Sequence, residues 1–127
     1  MSRTIEKTKG FHSHAKDIRP ETLALVEGKE PDGHVEVKVL QVSDDFLVLE
    51  VKRGKGLIDP MHKHDDHETT GYLISGKMRV IIGDEEFIAE AGTSWVHPRG
   101  VLHFSEALED CLQIEIKSPP TKTWVSK

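Results

Sequence analysis

Residues His62 to Glu68, HKHDDHE, place three histidines and three carboxylates in seven positions. In an extended strand, residues i and i+2 face the same way. His62 and His64 can therefore bring two imidazoles to one cation while Lys63 points away. Glu68, four residues past His64, can add a carboxylate after a small bend. A further ligand has to come from another strand, and His103, in VLHFSE after the turn HPRG, is the candidate. Three imidazoles and one carboxylate form a mixed nitrogen and oxygen set suited to a single divalent ion: Mn, Fe, Ni, Co or Zn. The other ligand-type side chains read differently. His67 has the opposite parity to Glu68 and is expected to face solvent. Asp65 and Asp66 keep a turn polar. His12 and His14 repeat the spacing with no glycine frame and no partner motif. His97 is expected to pack near the mouth of the fold, and Cys111 to behave as a small buried apolar residue. No Ser-His-Asp or Cys-His arrangement has a recognisable context.

The elements that must position these groups are mostly strands. HVEVKVLQV alternates, with Val35, Val37 and Val39 on one face, and FLVLEVK continues the pattern. Alternation at period two in β-branched segments is the strand signal. Short runs follow between glycines at 54, 56, 76, 83, 92 and 100: GYLIS, KMRVII, EEFIAE, TSWVH, VLHFSEA and CLQIEIK. Many short strands at even spacing predict an all-β barrel or sandwich. Residues 1–33 read as a polar N-terminal extension, in which RPETLALVEG predicts one short helix between Pro20 and Gly28. Residues 34–120 form the barrel, and residues 121–127 a tail that leaves the sheet at Pro119-Pro120. In CLQIEIK, Gln113, Glu115 and Lys117 share one face and Leu112, Ile114 and Ile116 the other. Alternation alone leaves open which face is inside.

A chain of 127 residues argues for one domain that can bury a real core. A formal net charge of −5 argues against nucleic-acid binding, which calls for a basic surface. No apolar run reaches the ~20 residues of a membrane span. The N-terminal residues lack the apolar stretch of a secretory signal. A single cysteine excludes an intrachain disulfide and suits a reducing compartment. The expected location is cytoplasmic.

GLIDPMHKHDDHE, Gly56 to Glu68, resembles the first motif of the cupins, G-x5-H-x-H-x3,4-E. GTSWVHPRGVLH, Gly92 to His103, matches the second, G-x5-P-x-G-x2-H, at Gly92, Pro98, Gly100 and His103. The first motif usually closes on a glycine after six residues, whereas seven separate Glu68 from Gly76. A shift of one residue would put Thr69 in the place of the carboxylate. The second often ends in Asn, where Ala107 stands. The resemblance covers about residues 35–120. It implies a small jelly-roll β-barrel of two antiparallel sheets, a metal held by His62, His64, Glu68 and His103, and a homodimer. The stretch from LISGKMRVIIGDEEF to SPP also resembles small cupins of the pectin-degradation type, which act on unsaturated uronic acids. Those carry an acidic residue in the last strand, here Glu115, and the likeness puts Glu115 inside the cup. They also carry an aromatic and an arginine where Lys117 and Thr121 stand. Loss of the arginine removes the bidentate partner for a sugar carboxylate.

The chemistry expected of such a site is Lewis-acid catalysis on a small carboxylate- or carbonyl-bearing substrate, with Glu115 or Tyr72 moving protons. Tyr72 is a candidate because it shares the parity of Glu68. The reaction class would be isomerase, lyase or cyclase. An Fe(II) dioxygenase and a non-catalytic metabolite-binding cupin are the alternatives.

Overall fold

The computed structural model describes residues 3–127. The chain opens with an extended arm carrying one 3-10 turn, Ala15–Asp17, and continues as strands. These are β1 (Glu21–Val26), β2 (Val35–Val42), β3 (Leu47–Arg53), β4 (Ile58–His62), β5 (Glu68–Ser75) and β6 (Met78–Ile82). They continue with β7 (Glu85–Ala89), β8 (Ser94–His97), β9 (His103–Ala107), β10 (Cys111–Ser118) and β11 (Trp124–Ser126). The larger sheet runs β11-β1-β2-β3-β10-β5-β8 and the smaller β4-β9-β6-β7. Strand pairing is antiparallel throughout. The fold is the expected jelly roll. Among the described residues, no helix is long and apolar enough to cross a membrane.

Alternation sets the two faces. In β3, Leu47, Leu49 and Val51 are buried; in β6, Met78 and Val80. With Leu57, Leu73, Ala89 and Trp95 they form the core between the sheets. Close packing explains two glycines. A Cβ on Gly71 would lie 2.5 Å from the Trp95 ring, and one on Gly76 2.4 Å from the Asp110 carbonyl oxygen. Gly76 also has φ +97, a conformation costly for any residue with a side chain.

Three expectations are corrected here. The helix expected within RPETLALVEG is strand β1, which pairs with β2 and β11 and buries Leu23. An apolar run this short fits either element, and sheet pairing overrides local helix signals. The tail does not leave the sheet for good: after the cis Ser118-Pro119 bond it returns as β11. Finally, β5 faces opposite to expectation. Thr69, Gly71 and Leu73 are buried while Glu68, Thr70 and Tyr72 point out. Burying Leu73 and Gly71 against the core fixes that parity, and a one-residue slip turns every side chain over. In β10 the odd positions Cys111, Gln113, Glu115 and Lys117 face inward. Leu112, Ile114 and Ile116 face outward.

Candidate metal centre

The register of the smaller sheet builds the site. β4 and β9 pair so that His62 lies opposite His103. His64 follows β4 in a loop whose carbonyl, at His64, accepts the Gly100 N–H at 2.8 Å, so the two sequence motifs are tied directly. His62, His64 and His103 are all buried, and one nitrogen of each lies within 4.8 Å of the others. The Nε2 atoms of His62 and His103 are 3.0 Å apart. His62 donates from Nδ1 to the Pro60 carbonyl at 2.7 Å, and His103 from Nδ1 toward the Val101 carbonyl at 3.4 Å. Carbonyls can only accept, so both protons sit on Nδ1 and both Nε2 atoms present lone pairs. Two lone pairs facing each other repel unless a cation lies beside them. A separation of roughly 3 Å is the edge made by two nitrogens about 2.1 Å from one ion at a right angle. The three residues therefore fit a divalent metal. Burial first, then the neighbouring His62 ring, pushes His103 down to about 3. Burial first, then the Lys117 charge, holds His64 well below the usual histidine range. Both are neutral at physiological pH, the form that ligates.

A fourth histidine stands beside the cluster. His67, expected to face solvent, is fully buried, its ring centroid 4.5 Å from that of His64. Its Nδ1 pairs with Asp66 at 2.8 Å and its Nε2 has no hydrogen-bond partner. His97 lies flat on His103, centroids 3.7 Å apart. Glu68 does not join the cluster: its side chain is on the outer face of β5, as is Tyr72, 48 % exposed. Thr69 takes the inward position, where its hydroxyl accepts a hydrogen bond from Lys117 Nζ at 3.1 Å.

The same cavity holds a polar group on the opposite wall. Glu115 accepts hydrogen bonds from Gln113 at 3.0 Å and Arg53 at 3.4 Å, and lies 3.8 Å from Lys117 Nζ. Burial alone would raise its pKa, but Lys117 and Arg53 outweigh that and keep it below the usual range. Burial lowers Lys117, with Glu115 opposing the shift. Arg53 also reaches Asp59 at 3.8 Å, and burial raises the Asp59 carboxyl. Thus Glu115 is inside the cup, as the resemblance implied. Thr121 is buried and gives its hydroxyl to the Pro119 carbonyl. Sequence reasoning missed Arg53 and Asp59 as parts of the cup, whereas it put Gln113 on the face of Glu115 and named Thr69 as the inward residue under a one-residue shift. For Thr69 and His67 a signal existed: counting back in twos from Leu73 puts both inside.

Comparisons with known proteins bear on the family and the fold. The family described as cupin domain matches residues 47–110. The pectin degradation protein KdgF of Dickeya dadantii is 32 % identical over 73 residues, which cover 58 % of this chain. The match spans 66 % of that relative's own length. The solved structure of KdgF from a Halomonas species has a TM-score of 0.65 at 29 % identity, covering 67 % of this chain and 80 % of that one. An RmlC-like cupin from Shewanella frigidimarina has a TM-score of 0.77 at 19 % identity, covering 91 % and 95 %, which speaks for the fold alone.

Proposed function

The chain belongs to the cupin family, and on that premise we propose that it binds one divalent metal ion and performs non-redox, isomerase- or lyase-type chemistry on a small acid. The observation that carries this reading is the convergence of three buried imidazoles with a buried carboxylate, Glu115, in one cavity. His62, His64 and His103 would hold the ion, whose contribution is Lewis-acid polarisation of a carbonyl or carboxylate oxygen. Glu115, kept ionised by Lys117 and Arg53, accepts a proton from the bound substrate and returns it. Gln113 and Arg53 fix its orientation. Lys117, buried where the pectin-type relatives carry an aromatic, supplies a positive charge inside the cup for a substrate carboxylate. A lysine binds such a group as a point charge rather than as a fork. The KdgF relatives support an acidic sugar derivative as the substrate class.

A homodimer goes with this reading. Tyr72, Ile74, Val96 and Ile116 form an exposed apolar patch on the outer face of β5, β8 and β10 that a second copy can cover.

The experiment is a panel of uronates and keto acids offered to metal-loaded protein with and without oxygen. Turnover of one class without oxygen uptake is expected, and Glu115→Gln should lower kcat by 10²-fold or more, the usual contribution of a positioned acid/base. Oxygen-dependent turnover, or an unchanged rate in the variant, would reject the assignment.

A further inference from the structure

We propose that residues N-terminal to β2 complete the metal centre: Glu27, just past β1, is a positioning residue for His64, and Arg3 clamps Glu27. This rests on the metal-binding reading above. Of the three clustered imidazoles, two have Nδ1 anchored on backbone carbonyls, those of Pro60 and Val101. The third has no such anchor. His64 Nδ1 is buried and without a hydrogen-bond partner, yet Glu27 Oε2 stands 3.2 Å from it, off the line of a hydrogen bond. A small turn of the ring aligns them. A carboxylate there accepts only from an Nδ1–H, so it leaves Nε2 as the nitrogen free to ligate.

The backbone supports a built contact. Glu27 has φ +49, the one non-glycine at positive φ among the described residues. A glutamate there is strained relative to the usual helical or extended backbone. The surroundings hold it: the Glu27 N–H donates to the Thr123 carbonyl at 2.8 Å, and its Oε1 pairs with Arg3. Arg3 in turn donates to Asp66 at 2.9 and 3.0 Å, and Lys122 N–H donates to the Arg3 carbonyl at 2.8 Å. Asp66 holds His67. One arginine therefore fixes two carboxylates, each against a buried histidine. The Glu27 side chain is 12 % exposed, so its charge acts in a setting with little solvent screening. None of Arg3, Glu27 and Thr123 lies within the matched stretch, residues 47–110.

The test is calorimetric titration of the apoprotein with Ni(II), with the His64 ring tautomer read by nitrogen NMR. Wild type should show the Nδ1–H tautomer. Glu27→Ala should weaken Ni(II) binding about 10–100-fold, the usual cost of losing a partner of a ligating histidine. Glu27→Gln, the same shape with an acceptor oxygen but no charge, should fall between. If both variants bind within twofold of wild type, the inference is wrong, and a lower melting temperature with unchanged affinity counts the same way. His62→Ala separates the two readings. If wild-type protein takes up no Ni(II), the metal reading falls and takes this one with it. If wild type binds, His62→Ala does not and Glu27→Ala binds normally, this inference alone falls.

Discussion

An imidazole ligates through the nitrogen that lacks the proton, so the group on the other nitrogen decides whether a histidine is ready. His62 and His103 meet that condition through backbone carbonyls, which no side-chain substitution can remove. The three clustered histidines were legible in the sequence, His62 and His64 from their spacing and His103 from the second motif, although His64 lies in the loop after β4 rather than in the strand. Glu68 was not. Its reach to the ion assumes a bend over Asp65 and Asp66 that brings it to the side of His64, and a loop between strands does not preserve parity. β5 restarts the alternation, and Leu73, a core residue, sets it. Glu68→Gln and Tyr72→Phe should accordingly leave metal content at wild-type level and turnover within about twofold, since exposed substitutions away from a site have small effects. Metal analysis and steady-state rates of the two variants check this; loss of the ion in Glu68→Gln would restore the carboxylate as a ligand.

At the scale of elements, the turns carry specific demands. Gly76 ends β5 at φ +97 with the Asp110 carbonyl and Cys111 against it. Gly76→Ala must both adopt an unfavourable backbone and push a carbonyl aside, and should destabilise the protein by about 2–4 kcal/mol. Urea denaturation measures it, and a change under about 0.5 kcal/mol, the range of an ordinary surface substitution, would show that the β5–β6 turn yields easily. The strands of the barrel followed from alternation and glycine spacing. β1 did not, because TLALV within residues 21–26 carries no strict alternation and is bounded by Pro20 and Gly28, which frame a helix equally well. What makes it a strand is its position between β2 and β11, 100 residues distant in sequence at Leu25↔Val125. No local pattern contains that pairing. Glu27, at the end of β1, went unread for the same reason.

For the molecule as a whole, the inward turn of Glu115 and Lys117 has a consequence on the other surface. Ile114 and Ile116 must face out, next to Tyr72, Ile74 and Val96. Ile116 is 41 % exposed and Ile74 43 %. Sedimentation should give twice the chain mass for the wild type, and Ile74→Lys with Ile116→Lys should give the chain mass, because an unpaired charge inside an apolar interface is costly. A wild-type monomer at micromolar concentration would remove the homodimer. The resemblance read in the two motifs extended to the whole barrel. Lys117 was readable as the cation on the face of Glu115, but Arg53, which joins it in the cup because β10 lies between β3 and β5, was not.

The most direct measurement is the metal content of the purified protein by plasma mass spectrometry, taken alongside His62→Ala and His103→Ala and their circular dichroism. About one divalent ion per chain is predicted for the wild type and near none for each variant, with the β spectrum intact. Variants that retain the wild-type ion, or a wild type that takes up none when supplied with Mn(II), Fe(II), Co(II), Ni(II) or Zn(II), would contradict it.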